Sequence, residues 1–331
     1  MNATTWLPFS TLALLALTAC GGDVDTEAST SGTGAGSSSA ATSASSGGTG
    51  GAGTGGSATT GVTTGSGGFE GETLTLKMDS FTVPPGGEVY RCQNFKNPFG
   101  GADAEVSAFE SHMTGGSHHL LLFYKDKAVD TAVESCSGLE FAATPYSTQL
   151  PDDSLEFPAG VAALIPPTKG FRMQSHYLNT SSQPLEAHVE ITFHLAKPGT
   201  VKDHAGVLFV VEPDFSIQPN STQVVNHKCK LPFDMNLVKA GSHMHKHGTH
   251  FDATIGTEKI FETTTWDEPK PTLFAPAKAV KGGSTLNFNC TFVNNSANTL
   301  TFGESAEDNE MCIFVSSFYP TPAGQATVFC Q

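Results

Sequence analysis

The sequence predicts an all-β protein: two antiparallel, jelly-roll-like β-sandwich domains in tandem, preceded by a signal peptide and a disordered tether. Three observations predict this. From Phe69 onward, short apolar-alternating runs at 74–78, 118–124, 186–195, 206–211, 285–293 and 312–318 are separated by Pro, Gly, Asn and Asp, a period of two that belongs to strands. No segment carries the sustained 3.6-residue stripe of an amphipathic helix. About 260 residues of strands and turns exceed what one sandwich needs.

Residues 1–20 hold a short apolar run, 6–19, that ends on Leu17-Thr18-Ala19-Cys20. The run is too short to span a bilayer and reads as a signal-peptide core. Small residues before a cysteine resemble the bacterial lipoprotein signal, in which Cys20 would become the lipidated first residue, although the n-region lacks Lys and Arg. Residues 21–68 are almost wholly Gly, Ser, Thr and Ala and cannot bury enough apolar surface to order themselves, so a flexible tether is expected.

The folded part divides best at Lys197-Pro198-Gly199, giving domains 69–198 and 199–331. The clearest strand sets Val189, Ile191, Phe193 and Leu195 on one face and His188, Glu190, Thr192 and His194 on the other, where the histidines are expected to be solvated. No internal repeat is visible, and the sequons at Asn179, Asn220 and Asn294 would matter only in a eukaryotic secretory host.

A formal net charge of −15 disfavours nucleic acid and anionic membrane surfaces as partners. Seven cysteines point to an exported, disulfide-bonded protein. If Cys20 is lipidated, six remain, an even set.

Four of the twelve histidines lie in the stretch Ser242-His243-Met244-His245-Lys246-His247-Gly248-Thr249-His250. In an extended strand His243 and His245 leave the same face and could hold one metal ion. His247 shares that face as a reserve ligand, and His250 falls on the other. Imidazole suits Zn, Cu, Fe and Ni alike, so the stretch names no metal. A second set begins at His118-His119. Neighbours in a flat strand face opposite ways, so both reach one ion only if the backbone kinks, which Gly115-Gly116 would permit; otherwise one is buried and one exposed. His176, in Gln174-Ser175-His176-Tyr177, offers a third donor, and His112 lies near in sequence with no spacing argument behind it. Met311 reads either as core filler or as a thioether ligand, which beside imidazoles selects copper, Cu(I) in particular.

The chain resembles the copper type II ascorbate-dependent monooxygenases, whose members include peptidylglycine α-hydroxylating and dopamine β-hydroxylating enzymes. SHHLLLF at 117–123, QSHY at 174–177, HMHKHG at 243–248 and EMCIF at 310–314 occur in the family's order, and Tyr319-Pro320 is similar to the catecholamine branch. The resemblance spans about residues 72–331. It implies two copper ions, one held by His118, His119 and His176 and the other by His243, His245 and Met311, the latter set catalytic. It also implies the disulfides Cys92–Cys136, Cys290–Cys312 and Cys229–Cys330, although spacing alone permits fifteen pairings of six cysteines. The implied activity is hydroxylation of a substrate C–H bond with dioxygen at the methionine-bearing copper. The three-histidine copper would supply the second electron, and ascorbate or a similar donor would reduce both. Gln174 either projects into the gap between domains or serves strand pairing.

In the peptide-amidating branch a basic residue before His-x-His and an asparagine after Met-Cys hold the substrate carboxylate. Gly241 and Ile313 stand there in this sequence, and no lyase domain follows, so a glycine-extended peptide is not the expected substrate. The expected protein is therefore a monomeric, lipid-anchored or secreted envelope oxygenase acting on a small molecule or peptide. The alternatives are a non-catalytic copper-binding or copper-sequestering lipoprotein on the same fold, and a zinc-binding or purely structural β-sandwich.

Overall fold

The computed structural model describes residues 57–61, 71–322 and 325–330; the predicted signal peptide, Cys20 and most of the predicted tether lie outside them. No helix occurs among the described residues, as the absence of any 3.6-residue stripe predicts. One correction concerns the tether, which is not structureless throughout: Ser57–Gly61 pairs antiparallel with Thr73–Lys77. An edge strand presents a row of open N–H and C=O groups, and a passing segment of small residues can pair with it.

Two hydrophobic cores follow one another along the chain. The first gathers Leu74, Val106, Phe109, Leu120, Phe171 and Phe193 with others up to Ala205, joined by Val238 from further along the chain, and the second begins at Leu208 and runs to Val328. A five-stranded antiparallel sheet covers the first core, in the order Glu134–Ser135, Glu88–Phe95, Lys169–Leu178, Ser117–Asp126, Tyr146–Thr148. A four-stranded sheet covers the second, in the order Ser221–Lys230, Thr285–Asn294, Gly248–Ile255, Glu258–Thr263. Facing both is one long sheet. It changes from the first half to the second where Val161–Ile165 pairs parallel with Asp203–Val211, which then pairs with Ile313–Tyr319 and, beyond it, Met235–His243.

The alternation that identifies strands in the sequence is also what fills these cores. In Thr285–Asn294, Leu286, Phe288, Cys290, Phe292 and Asn294 are all buried and the residues between them are half-exposed, the period-two pattern of a sheet with one face inward. In Val189–Leu195 the apolar face is buried as expected, but His194 is not solvated. The register shifts between His194 and Leu195, and the His194 imidazole lies 3.0 Å from the Glu110 carboxylate on the neighbouring strand.

A recurring turn links the halves despite the absence of a visible sequence repeat. Asn179 and Asn294 are both buried, and each donates its amide to three backbone carbonyls: Val83, Pro84 and Gln183 in one case, Ile217, Gln218 and Asn298 in the other. Each also accepts the backbone N–H and hydroxyl of the serine two residues on, Ser181 or Ser296. An amide this fully engaged is a structural plug and not a glycosylation acceptor in the folded protein.

Cys92–Cys136 and Cys290–Cys312 are disulfide-bonded. Cys229 is disulfide-bonded as well; the side chain of Cys330, its predicted partner, is outside the described set. Such bonds fit an exported protein. The second bridge fastens the residue after Met311 to the central strand of the four-stranded sheet.

Candidate metal centre

Each predicted ligand is delivered by a local device. His176 lies directly across from His119, and the next register pair is Tyr177 with Ser117, so His118 is an extra, bulged residue. The bulge breaks the up-down alternation and lets two adjacent imidazoles approach the same ring: both His118 and His119 lie close to His176, with centroids 5.0 and 5.1 Å away. Gly116, just upstream at φ +94°, has a backbone that a side chain would strain, and an added Cβ would come within 3.1 Å of Leu185.

In the second half the strand Met235–His243 ends at His243, and His245 stands in the turn that leads to Gly248–Ile255. The strand therefore does not continue to His247, the condition on which its place as a reserve ligand depended. The turn is tight: an added Cβ at Gly248 would fall 2.8 Å from the Met244 Cβ. It is clamped by the buried Glu310 carboxylate, which accepts the N–H groups of His245 at 2.9 Å and His247 at 2.7 Å. Burial pushes the Glu310 carboxyl up to about 8, against the pull of those N–H groups. Because His243 pairs with Ile313, Met311 is brought to the same end of the sheet.

The five histidines form one buried cluster. Ring centroids within the first set are 5.0–5.4 Å apart, and His243 and His245 are 5.2 Å apart. Contacts between the sets are as close: His118 to His243 at 4.8 Å, His119 to His243 at 5.1 Å. The ligand atoms of His118, His119 and His243 all lie within 4.8 Å of one another, a group that crosses the two predicted sets.

Electrostatics prepares these rings for a metal. Burial first, then repulsion from neighbouring imidazoles, holds His118, His176 and His243 well below the ordinary histidine value. Burial also pushes His119 down to about 3 and His245 to about 4. Neutral imidazole is the form that ligates. Three rings are anchored through one nitrogen: His176 Nε2 to Glu88 at 2.8 Å, His243 Nδ1 to Gln149 Oε1 at 2.5 Å, and His245 Nδ1 to the Asn309 carbonyl at 3.2 Å. Their other nitrogens, and both nitrogens of His118 and His119, are buried without a hydrogen-bond partner. Seven orphaned buried nitrogens in one place would each leave about 1–3 kcal/mol of desolvation unrecovered; each of the five neutral rings has one lone-pair nitrogen, and a bound cation is the natural partner for those.

The remaining candidates sit elsewhere. His112 pairs with Asp152, His250 with Glu262, and His247 Nε2 lies 3.3 Å from the Glu307 carbonyl. Gln174 is buried opposite Cys92 and donates to the Ser137 carbonyl, so it fastens the disulfide loop. A cleft lined by His119, His243 and Met311 opens beside the cluster, and Gly241 and Ile313 are also on its wall. The sequence gives no sign of Gln149, Glu88 or Tyr90, whose ring stacks on His176 at 3.8 Å; all three are remote in the chain from the ring they support. Glu310 was legible as the neighbour of Met311, but its clamp on the turn was not.

Residues 203–331, which carry the His243–His245 turn and Met311, match the copper type II ascorbate-dependent monooxygenase C-terminal domain. That stretch is similar to the C-terminal domain of this family. Among solved structures it is similar to a peptide-N(4)-(N-acetyl-β-D-glucosaminyl) asparagine amidase, at 12% identity over 76% of this chain and 97% of that one, with a TM-score of 0.38. It is also similar to the STIV MCP, at 8% identity over 76% and 97%, with a TM-score of 0.32. Likenesses this low bear on neither site nor activity.

The donor set fits the metal of the copper monooxygenases: neutral buried imidazoles with open nitrogens, and a thioether on the same cleft. Replacing Glu310 by alanine is expected to loosen the His245 turn and weaken copper binding by about 10–100-fold, read by competition with a Cu(I) chelator. Unchanged affinity would show that the turn holds without its clamp.

Proposed function

We propose that this protein is a monooxygenase that hydroxylates a C–H bond of a small molecule or peptide, using dioxygen and ascorbate or a similar one-electron donor. His118, His119 and His176 would hold one copper, and His243, His245 and Met311 a second. Copper supplies one-electron chemistry that removes the barrier between triplet dioxygen and a closed-shell C–H bond. The observation that carries the reading is the meeting of five buried imidazoles, each with an open nitrogen, with Met311 beside a single cleft.

The chain's own residues would orient and exclude. Glu88, Gln149 and the Asn309 carbonyl set ring orientation, so that His176 turns Nδ1 and His243 and His245 turn Nε2 toward the open interior. Burial of all five rings keeps water from the open nitrogens and keeps the rings unprotonated at neutral pH. The cleft wall at Gly241, Ile313 and Met311 would place substrate beside His243.

A second reading, copper sequestration without catalysis, has one observation in its favour. The tightest three-donor group, His118, His119 and His243, would suit a single shared ion. Metal analysis, the Cu(I) X-ray absorption spectrum and an oxygen electrode separate the two. Two coppers per chain, a sulfur scatterer and reductant-dependent oxygen uptake that disappears in His243→Ala are expected of the oxygenase. A full copper load with no uptake across a broad substrate panel would leave sequestration standing. If Cys20 is lipidated, Cys20→Ser should move the protein from the membrane fraction to the soluble one.

A further inference from the structure

We infer that the cleft beside Met311 takes an uncharged substrate with an apolar, ring- or chain-shaped body. The inference rests on the oxygenase reading for the fate of that substrate, but not for its selection.

The wall of the cleft is largely apolar, with Leu121, Phe123, Ile313 and Val315 along it. Phe141 and Phe329 also line it, each 46% exposed. Both rings stand 6.2 Å from Phe209, another lining residue, so the three form an aromatic rim. Half-exposed aromatic rings leading into an apolar cleft favour a ligand that buries carbon there.

The charges decide the class. Apart from the histidines, two ionisable side chains line the cleft, Lys239 and Glu140, and each is already paired, Glu140 with an Arg172 that Glu134 shares. The Lys239 ammonium lies 2.6 Å from the Asp153 carboxylate, with both side chains nearly buried. The Glu140 carboxylate accepts the Arg172 Nε–H at 2.9 Å. A carboxylate or ammonium entering the copper-free cleft would lose its hydration and find no free counter-charge on these walls. A neutral ligand carries no such penalty.

The test uses three ligands of similar shape: 2-phenylethanol, 2-phenylethylamine and 3-phenylpropionate. Binding to the full chain is measured by calorimetry without reductant, in copper-free and copper-loaded forms, so that no turnover enters. The alcohol should bind the copper-free form at least about tenfold more tightly than either ion. Asp153→Asn unpairs Lys239 and should raise the affinity for 3-phenylpropionate about tenfold or more. The double variant Lys239→Met with Asp153→Asn should keep the alcohol and show no gain for the carboxylate, which guards against misfolding of the single variant. A charged analogue that equals the alcohol in the copper-free form overturns the inference, as does alcohol binding unaffected by Val315→Trp. Selective binding of the alcohol without oxygen uptake would remove the oxygenase reading and leave this one. Uptake driven by a charged substrate in preference to the neutral ones would do the reverse.

Discussion

Replacing Met311 by alanine is expected to reduce reductant-dependent oxygen uptake by on the order of a hundredfold, about 2.7 kcal/mol in the barrier, while most of the copper stays bound. Met311 is 3% exposed, lines the cleft with His119 and His243, and sits between the Glu310 clamp and the Cys290–Cys312 bridge. Removing its thioether leaves the open nitrogens of His243 and His245 in place. What is lost is the soft donor that favours the reduced metal. If Met311 were only packing, the substitution would instead lower stability by about 2–5 kcal/mol and leave uptake per folded molecule unchanged. An oxygen electrode with ascorbate, copper analysis and a urea unfolding curve on the same preparation distinguish these outcomes. Undiminished uptake in folded Met311→Ala would end the role assigned to the sulfur.

Acid should destabilise the copper-free protein far more than the copper-loaded one. The buried imidazoles are neutral in the fold, with their proton affinities held below the ordinary value of 6.5. A group whose folded value is depressed contributes its full stability above the unfolded value. That stability is then lost as pH falls from about 6.5 toward the folded value, because the unfolded chain takes up the proton first. For His245 alone, between 6.5 and about 4, the loss is roughly 3 kcal/mol, at about 1.4 kcal/mol per pH unit. The five rings share their mutual repulsions, so the total is less than five times that figure. Bound copper competes with protons for the same nitrogens and should delay the loss to lower pH. Carboxylates elsewhere titrate in both forms, so the difference between copper-free and copper-loaded urea midpoints isolates the cluster. A copper-free midpoint that stays level from pH 6.5 to 4 would contradict the buried, neutral cluster.

Much of the fold is readable because strand patterning is local. The alternation in Thr285–Asn294 and Val189–Leu195 is written in consecutive side chains, and the core follows it. Where a contact depends on a distant strand, the same reasoning fails. His194 reads as solvated until Glu110 is placed beside it, and the small residues at 57–61 read as tether until the edge of Thr73–Lys77 is there to pair with them.

The site divides in the same way. By itself the sequence nominated the residues proposed to ligate a metal, His118, His119 and His176, and His243, His245 and Met311, because donor chemistry belongs to side-chain type and a family pattern preserves its order. Only the tertiary structure decided that the five imidazoles share one cluster, that His118 is the bulged residue, and that each supporting group faces its ring. Glu88 and His176 are 88 residues apart, and Gln149 and His243 are 94 apart. Contacts over such separations are set by sheet register and by the packing of one half against the other, and no local pattern encodes either.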